Sequence, residues 1–237
     1  MLKEFLRISR FISNHPLARK KKLLAYKRFI GWQLSQKMVR HPVLYPFVEN
    51  SVLLIEKGMD PSRMVVIDSR TGCAGHGFMA VAAANAIERG ADLAGAADAA
   101  HAMRKDVQLL VMVDTLEYLR RGGRIGAASA WIGATLRVKP ILTIEGEMQP
   151  VERVRTAGRA FERLVAHLET RKQDGCDAFA VQHIQAPDVA ERLVERGREI
   201  YGRDPDLLSE VGPVIGTHIG PGMLGVAGLR TELLGPM

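Results

Sequence analysis

The chain has 237 residues, 47% of them hydrophobic, with a formal net charge of +7. That composition allows one large or two small domains with a real core and excludes a disordered chain. No apolar run reaches the ~18 residues that cross a bilayer as a helix. Cys73 and Cys176 are the two cysteines; they have no metal-ligand or C-x-x-C spacing, which points to a reducing compartment. The first residues also lack the short apolar block and cleavage site of a secretory signal, so the expected location is cytoplasmic.

The charge is unevenly placed. Residues 1–59 carry 12 Lys/Arg against 3 Asp/Glu, and the rest of the chain is close to neutral. Leu2, Phe5, Leu6, Ile8, Phe11 and Ile12 recur at helical spacing, as do Leu23, Leu24, Tyr26, Phe29 and Ile30, with His15-Pro16 breaking the run. Residues 1–59 are therefore expected to form a basic helical extension. Residues 1–40 could lie on an anionic membrane surface; a helix docked on a partner domain gives the same pattern, and a solvated basic face is the simplest reading. No nucleic-acid partner is expected. The stretch Phe11-Ile-Ser-Asn-His-Pro, with Phe47-Val-Glu-Asn-Ser-Val-Leu-Leu-Ile-Glu-Lys-Gly-Met59, resembles the start of FkbM-type methyltransferases. Nothing after Met59 continues that resemblance, and no glycine-rich turn for S-adenosylmethionine follows, so the head reads as a fusion without that activity.

From Met64 the pattern alternates between strand and helix. Met64–Asp68 reads as a buried strand, 72–87 as a Gly/Ala-rich helix, Leu93–Arg104 as a second helix and Val107–Val113 as the next strand. This predicts a parallel β-α-α-β arrangement. Asp114 then stands as a helix cap, with Glu117 completing a capping box from Thr115 onward. Arg120 and Arg121 suit the helix C-terminus, and Gly122-Gly123 closes it, holding Arg124 on a glycine corner. Ala127–Leu136 reads as a helix of small residues. Pro140–Ile144 and Met148–Val154 form a hairpin through Glu145-Gly146-Glu147. An amphipathic helix covers 157–172, a strand Asp177–His183, a helix Pro187–Tyr201 and a short strand Leu207–Val211. A final strand is expected over Val214–His218, running into Ile219-Gly220-Pro221-Gly222.

Three separated segments carry a resemblance. Asp114-Thr-Leu-Glu-Tyr-Leu-Arg-Arg-Gly-Gly-Arg-Ile, then Trp131-Ile-Gly-Ala-Thr-Leu-Arg-Val-Lys-Pro-Ile-Leu, then Gly146, Pro150 and Arg153-Val-Arg closely resemble the DegV family of bacterial fatty-acid-binding proteins. The resemblance covers roughly residues 60–230. It implies a non-enzymatic protein that holds a long-chain fatty acid and presents its carboxylate to a fatty acid kinase subunit. The implied fold class is α/β, with an incomplete DegV-like parallel-sheet domain over 60–122 and a second α/β domain over 123–237. The family's Thr-Asp-Ser motif and Ser-Gly-Thr loop do not occur in this sequence, so half of the polar clamp is expected to be absent and an apolar groove to be exposed.

Thr217-His218-Ile219-Gly220-Pro221-Gly222 matches the family element near the ligand head group. Its imidazole can donate to a carboxylate, and glycines allow backbone amides close approach. Thr217, His218, Gly220 and Gly222 are thus the leading site residues, with Arg124 at the site rim or partner surface. Asp68-Ser69-Arg70 resembles a family strand end and adds Ser69, although a turn-forming serine would look the same. Arg153 and Arg155 read as solvated, and His183 as structural. No nucleophile elbow, phosphate-binding loop or histidine pair at metal spacing is present, so neither catalysis, cofactor nor metal is expected.

Overall fold

The computed structural model describes residues 65, 67–131 and 138–234. The expected basic extension, the FkbM-like stretch, Met64 and Val66 lie outside the described residues. Val65, Ile67 and Asp68 are described and belong to no strand.

The elements in chain order are α1 (Cys73–Glu88), α2 (Leu93–Asp106), β1 (Gln108–Met112), α3 (Glu117–Arg121), β2 (Lys139–Glu145), β3 (Glu147–Val154), α4 (Ala157–Gln173), β4 (Ala178–His183), α5 (Pro187–Tyr201), β5 (Leu207–Glu210), α6 (Pro213–Ile219), β6 (Leu224–Leu229) and α7 (Thr231–Leu234). They form a mixed α/β fold around one six-stranded sheet of order β3-β2-β1-β6-β4-β5.

The strand directions correct the expected parallel β-α-α-β unit. β1 runs antiparallel to both β2 and β6, and only β4 and β5 are parallel. Helices α1 and α2 follow each other directly and so do not connect two parallel strands. They instead cover one face of the sheet, where Phe78, Met79, Ala82, Ala100 and Met103 meet Leu109, Val111, Leu142 and Ala227. The period-two alternation of a strand sends Leu110, Met112, Phe179, Val181, Leu224 and Val226 to the opposite face. There they pack on Leu164, Leu168, Leu193 and Val194 of α4 and α5. Covered on both faces, the middle strands read as continuous apolar runs.

β6 went unseen in the sequence and is fully buried. Gly225 and Gly228 look like strand breakers, but a Cβ on Gly228 would overlap the Arg171 stem and the Tyr201 hydroxyl. Glycine there lets α4 and α5 approach the sheet. The last strand is this one, Leu224–Leu229, and Val214–His218, expected as the final strand, lies before it in helix α6 instead. Pro213 occupies its first turn, where a fixed φ and a missing N–H favour helix, with Gly212 extended before it. The Thr217 hydroxyl donates back to the Val214 carbonyl at 3.1 Å, which supports the helical turn. Within 126–131 the expected helix of small residues is a 3-10 helix, Gly126–Trp131.

Candidate functional site

The end of β1 delivers the segment 114–124 to the loop after α6, and the two meet through three glycines. A Cβ on Gly122 would overlap the His218 imidazole, and one on Gly220 would overlap the Tyr118 ring. At Gly222 a Cβ would lie 3.1 Å from the Asp114 carboxyl carbon. Gly220 and Gly222 have φ of +84° and +80°, which other residues rarely adopt. Both requirements, shape and dihedral, make this Gly-Pro-Gly loop fit one neighbour.

Asp114 does not cap α3. Its carboxylate accepts from Lys139 Nζ at 2.6 Å, which ties the segment to the start of β2. The helix begins later, at Glu117, whose amide donates to the Thr115 hydroxyl at 3.2 Å. The predicted capping box is also missing because the Glu117 carboxylate is taken by Arg120 and Arg121. Bonds from these two guanidiniums lower its pKa to about 2. The stop is as read: α3 ends after five residues and Gly123 takes φ +64°. Arg124 Nη1 donates to the Gly122 carbonyl at 3.0 Å, so this cation and the imidazole share one glycine corner.

Thr217, His218, Gly220, Gly222 and Arg124 are therefore gathered in one place. The glycine amides do not face a ligand as expected. Gly220 N–H donates to the Gly216 carbonyl at 2.8 Å, and Gly222 N–H to the Ile184 carbonyl at 2.8 Å. These glycines act by shape, fitting the loop against Tyr118 and Asp114. Val214, 64% exposed, lies one turn before His218 on the same face of α6, and Tyr118, 38% exposed, packs on Gly220 two residues after that histidine. An apolar surface thus adjoins the imidazole.

Ser69 stands apart from this cluster. It is buried, its hydroxyl donates to the Thr71 carbonyl at 3.3 Å, and its carbonyl accepts from Arg104 Nε at 2.6 Å. Arg104 also pairs with Glu145. Lys139 and Glu145 are the two ends of β2, about 20 Å apart at ~3.3 Å per strand residue. Sequence reasoning missed Tyr118 and Lys139 as neighbours of the loop, and no local signal carries such long-range contacts. His183 is buried and its Nδ1 accepts the Ala186 amide at 3.3 Å, in keeping with a structural role.

Residues 48–231 match the family model described as "Uncharacterised protein, DegV family". The chain belongs to the DegV family. It is 44% identical over 168 residues to a DegV domain-containing protein of Streptomyces coelicolor, covering 70% of this chain and 60% of that protein. Protein DegV of Bacillus subtilis is 36% identical over 162 residues, which cover 67% of this chain and 58% of that protein. The chain thus spans about three fifths of the length of these DegV relatives. Among solved structures, the fatty acid binding DegV family protein of Streptococcus agalactiae superposes with a TM-score of 0.67 at 27% identity, covering 78% of this chain and 66% of that one. DegV of Bacillus subtilis, described as a fatty acid binding protein, superposes with a TM-score of 0.63 at 34% identity, covering 70% and 60% of the two chains. Among the described residues, no helix is long and apolar enough to cross a membrane, and no cluster of acidic, histidine or cysteine side chains could hold a metal ion.

Proposed function

We propose that the chain binds a long-chain fatty acid without transforming it, with the carboxylate at the His218 imidazole and the acyl chain starting along Val214 and Tyr118. The observation that carries this reading is the seating of His218 on Gly122, one helical turn from an exposed valine. A charged head group needs a fixed donor, and an acyl chain needs apolar surface directly beside it. The solved DegV relatives described as fatty acid binding support the ligand class. Thr217, exposed on the same turn, and the Gly220-Pro-Gly222 loop shape the head-group end. Arg124 forms the rim. From there it can pair with an acidic surface of a fatty acid kinase subunit, to which the carboxylate would be presented.

Displacement of a fluorescent fatty acid by unlabelled long-chain acids tests this reading. Saturable binding that His218→Ala weakens at an unchanged melting midpoint is expected. A folded protein with no saturable binding would overturn the reading and leave a docking module without a lipid ligand.

A further inference from the structure

We propose that the opposite end of the β1–β2 sheet carries a second binding site, a cationic cleft that takes a phosphate monoester. The cleft is open to solvent and has a volume of about 630 Å³, within the usual range for small-molecule sites. Arg70, Arg104, Lys105 and Arg163 line it, against the single carboxylate of Glu145, with His167 beside them. It lies at the Glu145 end of β2, whereas the fatty-acid reading rests on the Lys139 end.

Four cations against Glu145 and the Glu152 that pairs with Arg163 leave a net positive potential, and clefts with low-dielectric walls focus it. Two of the four cations are partly used inside the chain, Arg104 also donating to the Ser69 and Arg70 carbonyls. Glu145 is spent on Arg104, and Arg163 gives only its Nε to Glu152, at 3.0 Å. The Arg70 and Lys105 side chains make no hydrogen bond or ion pair among the described residues. Arg70 is nevertheless held in a fixed pose. Its backbone has φ +47°, a costly conformation for arginine. Three bonds pin it there: its amide donates to Asp68 Oδ1 at 3.0 Å, and its carbonyl accepts from the Gly146 amide at 2.7 Å and from Arg104 Nη2 at 3.1 Å.

The ligand class follows from the charge and the directions. A single carboxylate would leave part of the positive charge uncompensated. A phosphate monoester carries nearly two negative charges at neutral pH and three acceptor oxygens. It can accept from the α2 side, through Arg104 and Lys105, and from Arg163 on α4 at once. Val107 and Val151 give the organic part an apolar wall. His167 Nε2 donates to the Gln108 carbonyl at 3.1 Å, which fixes the ring at the cleft. Burial holds that imidazole's pKa below its ordinary value, and a bound dianion would raise it.

The ester could be a soluble metabolite or the head group of a phosphatidic-acid lipid. Two probes separate them: glycerol 3-phosphate in solution, and phosphatidylcholine vesicles with and without phosphatidic acid. The full chain is titrated with each, following the ring resonance that is missing from His167→Gln and, for vesicles, co-sedimentation. Expected is saturable binding of the soluble ester with an upward shift of the His167 titration, or retention on phosphatidic-acid vesicles alone if the ester is lipid-borne. Arg70→Asn with Lys105→Gln should weaken either by about tenfold or more, with the melting midpoint and fatty-acid binding unchanged. Asparagine tolerates the left-handed backbone at position 70. No saturable binding of either probe up to about 10 mM, or equal binding by the double variant, would overturn the proposal.

Discussion

The His218 imidazole rests on the backbone of Gly122, in the space that a Cβ would need. Gly122 has φ −77° and ψ −3°, a helical conformation open to alanine. Gly122→Ala should therefore displace the imidazole without straining the chain. Fatty-acid affinity is expected to fall about tenfold or more, ~1.4 kcal/mol, with the melting midpoint nearly unchanged. In a His218→Ala background the same change should cost nothing further, because both act on one group. Fluorescent fatty-acid competition on the four proteins of this cycle measures the coupling.

Arg171 and Asp106 form a buried pair that joins α2 to α4. Arg171 Nη2 donates to the Asp106 carbonyl at 2.7 Å and lies 3.4 Å from its Oδ1, while Oδ2 accepts the Arg230 amide at 3.0 Å. Asp106→Ala leaves the buried Arg171 with Asp174, 3.1 Å from its Nη1, as its remaining carboxylate and strips the Arg230 amide of its acceptor, and should destabilise by about 1–3 kcal/mol. Asp106→Asn keeps an acceptor for Arg230 and should cost less. Urea unfolding of the two variants gives the comparison.

Gly197 sits in the middle of α5, where alanine is ordinarily worth up to about 1 kcal/mol of helix propensity. Here the sign reverses. A Cβ would overlap the Phe179 ring, which is itself stacked on Tyr201 with centroids 5.0 Å apart. Gly197→Ala is expected to destabilise by about 1–3 kcal/mol, read as a lower urea midpoint. A gain in stability would show that Phe179 can move aside.

His167 gives the fold a pH dependence in the absence of ligand. Burial chiefly, and the charges of Arg163 and Arg171, hold its pKa below the ordinary 6.5, against the favourable Gln108 bond. Below pH 6.5 the unfolded chain binds a proton that the folded chain refuses. Stability therefore declines as pH falls from that value toward the depressed one, and returns as pH rises. His167→Gln, which can still donate to Gln108, should flatten the change in urea midpoint between about pH 7.5 and about pH 5.5.

Sequence legibility followed the range of the forces involved. Helices α4 and α5 and the β2–β3 hairpin were readable because apolar spacing and turn residues are local signals, and Thr156, whose side chain accepts the Arg159 amide, marks the start of α4. The segment after Gly212 misled because Val214 and Ile215 favour strands, while Pro213 at the first turn decided for helix. β6 was hidden by two glycines whose purpose is visible only against Arg171 and Val111 on other elements. At the candidate site, the motif gave His218 and its glycines. It did not give their use, since both glycine amides are bonded within the chain and the imidazole is positioned by a residue 96 places earlier in the sequence, Gly122. Lys139 likewise took Asp114 from the cap that local reasoning assigned to it.

The measurement that bears most directly on the central claim is native mass spectrometry of the purified chain before any delipidation, repeated on His218→Ala. A bound mass in the range of long-chain fatty acids, lost from the folded variant, is the predicted result. A folded wild-type chain that carries no such mass and takes up none when a long-chain fatty acid is added would contradict the fatty-acid reading.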